Sequence, residues 1–199
     1  MTRRLLVATG NRGKLAEFAA LLPGVAVLGL ADVGVGDLPE TGETFEDNAR
    51  QKATEAARRA GVWCLADDSG LCVDALDGAP GVNSARYAGR HGDDSANRAL
   101  LLERLAAVPE GGRSARFVCV LVLVAADGEV LAEARGECPG RIVHAPRGEL
   151  GFGYDPVFVP DGDTRTMAEL PSDEKNARSH RGRALEALLP ALRARLAAE

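Results

Sequence analysis

Phe117-Val118-Cys119-Val120-Leu121-Val122-Leu123-Val124 is continuously apolar and rich in β-branched residues, the composition of a central strand covered on both faces. Asp127-Gly128 follows and supplies a hairpin turn into a second strand over Val130 to Ala134. Toward the N-terminus, Leu5 to Ala8 is a short apolar run ending in Thr9-Gly10-Asn11, after which apolar residues recur at Leu15, Phe18, Ala19 and Leu22. This predicts strand, polar turn and amphipathic helix. Thr44 followed by Asp47 resembles a capping box that opens an alanine-rich helix with its stop at Gly61. Trp63 to Ala66 and Leu71 to Val73 read as strands on either side of Asp67-Asp68-Ser69-Gly70, so the two carboxylates are expected in a tight turn. Asp77-Gly78-Ala79-Pro80-Gly81 is a loop by its turn chemistry, and a helix is expected from about Asp94 to Val108. A last helix is expected to begin at Ser172 and continue through an apolar stripe at Leu185, Leu188 and Leu192. The pattern is an α/β chain with a mixed sheet, free of repeats and low-complexity tracts.

A length of 199 residues favours one compact domain, or two small lobes sharing a cleft. With 46% hydrophobic and 27% charged residues there is enough apolar material for a sizeable core. Aromatic content of only 4% leaves few platforms for stacking single-stranded nucleic acid, which favours a small ligand over a polymer. The net charge of −5 lacks the electrostatic footprint of non-specific DNA or RNA binding, so phosphates would need local cations or a metal. Cys64, Cys72, Cys119 and Cys138 form no C-x-x-C pair and lie mostly in apolar runs, as buried thiols do. The opening apolar run is too short for a signal segment and no membrane-spanning run follows, so a cytoplasmic protein is expected.

Four segments carry candidate chemistry. Thr9-Gly10-Asn11-Arg12-Gly13-Lys14 has the parts of a phosphate site: backbone N–H groups at a helix N-terminus, glycines that permit close approach, and a cation. It lacks the Walker spacing, and an ordinary strand-to-helix turn is the alternative. Asp67 and Asp68 follow an apolar strand directly. Adjacent carboxylates point in different directions, which suits one oxygen ligand for Mg²⁺ and one structural group, against the alternative of a solvated turn. Glu40, Glu43, Glu46 and Asp47 offer a second carboxylate, although first-turn helix charge accounts for much of that cluster. Gly151-Phe152-Gly153-Tyr154-Asp155-Pro156 sets two aromatics among glycines beside a carboxylate, as a base-stacking pocket or as a glycine turn with core aromatics. Lys175 and Ser179 would share one helix face, with His180 and Arg181 about one turn further on, as cations for phosphate or base oxygens or as solvent-facing charges.

Together these segments resemble the non-canonical purine nucleotide pyrophosphatase family, also called the Ham1-like or inosine triphosphate pyrophosphatase family. The likeness rests on A-T-G-N-x-x-K at Ala8 to Lys14, E-T-G-x-T-F-x-x-N-A at Glu40 to Ala49, A-D-D-S-G-L at Ala66 to Leu71, and G-A-P-G-x-x-S-A-R-Y-A-G at Gly78 to Gly89. It continues in G-F-G-Y-D-P at Gly151 to Pro156 and S-H-R-G-x-A-L at Ser179 to Leu185. The resemblance implies a single domain over residues 1–199, an elongated two-lobed α/β body around a mixed sheet with the active site in the cleft between lobes, and a homodimer. It implies Mg²⁺-dependent hydrolysis of dITP, ITP, XTP and dXTP to the monophosphate and pyrophosphate.

On the same ground Thr9, Gly10, Asn11, Arg12, Gly13 and Lys14 would hold the triphosphate and Ser69 would touch substrate. Phe152, Gly153, Tyr154 and Asp155 would form the base pocket, and Lys175, His180 and Arg181 would complete the nucleotide contacts. Glu40 and Asp68 match the family's magnesium-associated acids, Asp68 also matches the proton acceptor, and Lys52 is a further candidate phosphate contact. Two positions depart from the family pattern: Asn83 replaces an aromatic residue, and Arg178 replaces an apolar one before Ser179-His180. The competing readings are a P-loop NTPase, a Maf-like pyrophosphatase for modified pyrimidine or canonical nucleotides, and a non-catalytic nucleotide sensor.

Overall fold

The computed structural model describes residues 3–197. Strands β1 (Arg3–Val7), β2 (Val25–Leu28), β3 (Cys64–Val73), β4 (Ser114–Val124), β5 (Val130–Ile142) and β6 (Phe158–Pro160) form one sheet in the order β2-β1-β3-β4-β5-β6. Around them run α1 (Arg12–Leu21), α2 (Phe45–Ala60), α3 (Asp94–Arg104), α4 (Ser172–Arg178) and α5 (His180–Ala197), with short 3₁₀ turns between. β1 runs parallel to β2 and β3, with Leu6 opposite both Leu28 and Cys64, whereas β5 and β6 are antiparallel, with Ile142 opposite Phe158. The sheet is therefore mixed, as the α/β pattern of the sequence requires.

The chain groups into two compact units. Unit 1 comprises residues up to Asp68, Cys119–Gly136, and those from Arg181 onward; unit 2 comprises Ser69–Val118 and Glu137–His180. In unit 1, alternate β4 residues Cys119, Leu121 and Leu123 pack with Leu5 and Val7 of β1, Phe18 of α1 and Leu185, Leu188 and Leu192 of α5. The alternation is the two-residue period of a strand, and the leucines of α5 recur at helical spacing, so each element turns one apolar face inward. Val118, Val120, Val122 and Val124, on the other face of β4, are buried too. In unit 2 the core gathers Leu71, Leu101, Leu105, Phe117, Tyr154, Phe158 and Met167.

Local signals set several element ends. Asn11 caps α1 by accepting from the Lys14 N–H at 3.1 Å, and Thr44 caps α2 by accepting from the Asp47 N–H at 3.1 Å. Gly61 ends α2 in the left-handed conformation, at φ 66°. The hairpin turn also forms: the Gly128 N–H donates to the Ala125 carbonyl at 3.0 Å, with Gly128 at φ 95°. All four cysteines are buried free thiols.

Four boundaries differ from the sequence expectation. Asp67 to Gly70 is not a turn; β3 runs unbroken from Cys64 to Val73, because both carboxylates find buried cationic partners and so remain in the sheet. The helix expected to reach Val108 stops at Arg104. Pro109 disfavours a helical Val108, and the buried Arg113 guanidinium donates to the carbonyls of Leu105 at 2.7 Å and Val108 at 3.3 Å, just past the helix end. The terminal helix is two helices, broken where Ser179 is extended at ψ 151°. That extended serine directly precedes α5, as residues with helix-starting side chains often do. Finally, β5 extends beyond Ala134 to Ile142, since its later half pairs with β6.

Leu121→Ala removes a fully buried side chain from the centre of unit 1. We expect it to lower stability by about 2–5 kcal/mol in urea unfolding; a loss below ~1 kcal/mol would mean that β4 does not carry this core.

Candidate active site

Strand alternation decides what Asp67 and Asp68 do, because successive side chains of β3 point to opposite faces. Asp67 is fully buried. Its Oδ2 accepts from Arg181 Nη2 at 2.9 Å and Nε at 3.2 Å, its Oδ1 pairs with the Lys14 ammonium, and the Cys119 thiol lies 3.5 Å away. Arg181 also pairs with Glu17 and lies over the Phe18 ring at 5.8 Å. Burial opposes the charge on Asp67, but Arg181, Lys14 and Lys52 outweigh it and hold this carboxyl well below the usual carboxylate range.

Asp68 meets a different environment. Its Oδ1 accepts from Lys52 Nζ at 3.1 Å, and the same ammonium lies 2.7 Å from Glu40 Oε1. Asp68 Oδ2 is buried and has no hydrogen-bond partner among the described residues. Burial raises the Asp68 pKa and Glu40 adds to that, against the opposing pull of Lys52 and Lys14. For Lys52, burial is offset by Asp68, Glu40 and Asp67, which together hold its pKa above the ordinary value. The chain thus offers one neutralised carboxylate and, at the next residue, one with an oxygen still to be claimed. A buried carboxylate oxygen without a donor suits a hard cation or an acidic proton.

The rest of the expected acidic cluster is otherwise engaged. Glu46 pairs with Arg135 at 2.6 Å, and the Asp47 carboxylate takes the Thr44 hydroxyl at 2.7 Å, while Glu43 is exposed. The segment Thr9–Lys14 links β1 to α1 with Gly10, Asn11 and Arg12 exposed, so the first N–H groups of α1 are open to an anion. Lys14, one turn into that helix, reaches back to Asp67 instead of into solvent.

In unit 2 the Gly151–Asp155 segment is tightly tied. Asp155 Oδ2 accepts from the Phe152 N–H at 2.9 Å and from Lys175 Nζ at 2.8 Å, and the Lys175 ammonium stands 4.9 Å from the Phe152 ring centroid. Tyr154 is a core residue whose hydroxyl donates to the Ser84 carbonyl at 2.9 Å, leaving Phe152 as the partly exposed ring. His180 is buried and stacked on Phe117 with centroids 4.8 Å apart. Because the chain breaks at Ser179, Lys175 and His180–Arg181 occupy different helices instead of one continuous face.

Two residues here escaped sequence reasoning. Asp94 accepts from the Gly153 N–H at 2.7 Å, and Arg98 donates to the Gly153 carbonyl at 2.6 Å, so both sides of that glycine are gripped from α3. Their four-residue spacing marks a shared helix face, but nothing local names a partner so distant in sequence. Ser69 is half-buried at the start of unit 2. The two departures have local roles: Arg178 donates to Asp163 at 2.8 Å, and Asn83 accepts from Arg86 at 3.2 Å. Among the described residues no group of three or more His, Cys, Asp or Glu side chains converges to hold a metal. A cation here would have two carboxylates, Glu40 and Asp68, and would need other oxygen donors from its ligand and water.

Comparison with known proteins is consistent across three kinds of match. Residues 5–191 match the Ham1 family. The chain is 55% identical to a protein named dITP/XTP pyrophosphatase from Mycobacterium bovis, over 97% of each chain. It resembles the crystal structure of a nucleoside-triphosphatase / dITP/XTP pyrophosphatase from Mycobacterium abscessus at 53% identity and TM-score 0.74, covering 94% of this chain and 99% of that one. It also resembles a HAM1 protein from Coxiella burnetii at 43% identity and TM-score 0.85, covering 96% and 98%.

Arg181→Ala would leave Asp67 buried without its bidentate partner, and we expect a loss of about 3–5 kcal/mol in chemical unfolding. Arg181→Lys should recover only part of it, because one ammonium does not reproduce the guanidinium fork. Full stability in the alanine variant would remove Asp67 from its place as a buried ion.

Proposed function

This chain belongs to the Ham1 family, and on that premise we propose that it hydrolyses the non-canonical purine nucleotides dITP, ITP, XTP and dXTP to the monophosphate and pyrophosphate. Such an activity clears the nucleotide pool of bases that would otherwise enter DNA and RNA. The observation that supports it best is Asp68: a buried carboxylate with one oxygen unclaimed, sharing the Lys52 ammonium with Glu40. The match over residues 5–191 supports treating the chain as a single catalytic domain.

The residues fit a magnesium ion. Glu40 and Asp68 are hard oxygen donors, and a pair of carboxylates leaves places for phosphate oxygens and water, which is how Mg²⁺ is usually held beside nucleotides. When bound, the ion neutralises charge developing on the phosphates and acidifies nearby water. The chain's own part follows from its geometry. The turn of Thr9, Gly10, Asn11, Arg12 and Gly13, exposed at the N-terminus of α1, receives the triphosphate, with Lys14 and Lys52 supplying positive charge. Asp67 keeps Lys14 in place through its ion pair. Asp68 accepts the proton of the water that attacks the α-phosphorus in line, and pyrophosphate leaves. Burial makes Asp68 a stronger base than a solvated aspartate, which favours this role.

Phe152 offers the ring for base stacking, while Gly153, Tyr154 and Asp155 hold the segment in shape and Ser69 contacts substrate. Lys175, His180 and Arg181 complete the recognition set; since Arg181 is 2% exposed and bound to Asp67 and Glu17, its contribution runs through the groups it positions. Inosine and xanthosine carry an oxo group at the purine 6-position where adenosine carries an amino group, so donors facing that position select against adenosine; guanine shares the oxo group, so its rejection acts at the 2-position. The same family membership supports a homodimer working in the cytoplasm. No described helix is long and apolar enough to cross a membrane.

The primary test is product analysis with ITP, XTP, GTP and ATP, each with Mg²⁺ and with EDTA. The expected products are pyrophosphate with IMP or XMP, dependent on Mg²⁺ and weak with GTP and ATP; orthophosphate from the wild-type protein would overturn the assignment. Asp68→Asn should reduce turnover by about 10²-fold or more.

Its effect on stability has the opposite sign to an ordinary loss. A carboxyl whose folded pKa is raised contributes stability that is lost as pH climbs from its unfolded to its folded pKa, so ionised Asp68 weakens the fold at neutral pH. The asparagine variant should therefore melt at the same temperature or higher. In the wild type, kcat/KM should rise with pH through an apparent pKa above the ~3.9 of a free aspartate, and an acid limb at or below that value would argue against Asp68 as the base.

A further inference from the structure

Lys52 is a buried cation held between two acids. Its ammonium lies 2.7 Å from Glu40 Oε1 and 3.1 Å from Asp68 Oδ1, joining the two carboxylates proposed as the metal's protein ligands. The placement is built in. Lys52 sits on the inward face of α2, where Asn48, Ala49, Ala53 and Ala56 are buried, and Lys52 itself is only 5% exposed. The α2 N-terminus is fixed by its Thr44 cap, and Asn48 Oδ1 accepts from the Gly42 N–H at 2.7 Å, which secures the stretch that carries Glu40.

Charge counting shows why this matters. Glu40, Asp68 and Lys52 together carry one net negative charge. A dication added without moving Lys52 would make the group positive and set two cations side by side where little water screens them. A triphosphate resolves the conflict, since its oxygens give the ammonium another partner. Lysine is suited to that exchange, being a compact charge on a flexible four-carbon stem. Meanwhile Asp68 Oδ2, buried and without a donor among the described residues, offers the incoming metal an oxygen that Lys52 never held.

We infer that Lys52 is a displaceable counter-ion: in the nucleotide-free protein it stands in for the metal on Glu40 and Asp68, so that a divalent cation is taken up with the triphosphate and not ahead of it. The inference rests on the reading of Glu40 and Asp68 as metal ligands. It assigns Lys52 a duty before catalysis as well as any contact with phosphate, and it accounts for a site that retains no more negative charge than needed while empty of substrate.

The test uses Mn²⁺ as the probe, titrated into the full-length, nucleotide-free protein and followed by electron paramagnetic resonance of the free ion. Lys52→Met should bind Mn²⁺ at least about ten-fold more tightly than wild type, because the competing charge is gone. Adding Asp68→Asn to that variant should abolish the gain, and Lys52→Arg, which keeps the charge, should bind as weakly as wild type. Should Lys52→Met not fold, Lys52→Gln removes the charge while retaining a polar group for Glu40 and Asp68, and the same gain is expected. Equal Mn²⁺ affinity in wild type and the neutral variants, including no binding to any of them, overturns the inference, as does a gain that survives Asp68→Asn. Product analysis of the wild type stands apart from this result: pyrophosphate release with unchanged Mn²⁺ affinity rejects the counter-ion and leaves the pyrophosphatase assignment intact, whereas orthophosphate rejects the assignment itself.

Discussion

A carboxylate with no access to water must be matched by cations, and the arrangement of unit 1 follows from how Asp67 meets that requirement. Arg181 at the start of α5 supplies a two-pronged contact, and Lys14 in the first turns of α1 supplies a second charge. Glu17, also on α1, balances Arg181 from the other side. One buried ion on β3 therefore fixes two helices whose apolar faces are packed by Phe18, Leu185 and Leu188. Nondirectional apolar packing alone would hold those helices close but would leave their rotation less well defined. The charged contacts accept few geometries, and they put the α1 N-terminus, with its open N–H groups, in a fixed relation to β3.

The neighbouring aspartate inherits the benefit. Since successive strand residues face opposite ways, Arg181 and Lys14 bind Asp67 directly while Asp68 is held by Lys52, and Asp68 keeps a raised pKa and an oxygen without a donor among the described residues. Identical side chains one residue apart are thereby separated into an anion saturated by cations and one that can take a further partner. The separation depends on β3 remaining a strand through both positions. A tight turn would have exposed both to water and made them alike.

Unit 2 uses the opposite means, with side chains saturating backbone groups. Arg113 donates to the carbonyls of Leu105, Val108, Ile142 and Val143 and so joins the end of α3 to the end of β5. Asp94 and Arg98 grip the two sides of Gly153, and Asp155 and Lys175 close the same segment from within. A glycine-rich stretch is conformationally permissive by nature, and here four side chains remove that freedom, so that Phe152 is presented from a defined backbone.

Elements whose causes are local were legible in the amino-acid order. The β-branched run of β4, the cap at Thr44, the stop at Gly61 and the turn at Gly128 all follow from propensity, spacing and dihedral preference, and the order of motifs carried the family and the candidate acids. Tertiary structure alone decided the outcomes that depend on distant partners. Asp67-Asp68-Ser69-Gly70 has the composition of a turn and became a strand because Arg181, Lys14 and Lys52 arrive from elsewhere in the chain to neutralise it. The break at Ser179, the grip of Asp94 and Arg98 on Gly153, and the meeting of Lys52 with both Glu40 and Asp68 were hidden for the same reason. Turn chemistry and helix caps act over a few residues, but the free energy of a buried charge is set by whatever packs against it, and no local stretch of sequence contains that information.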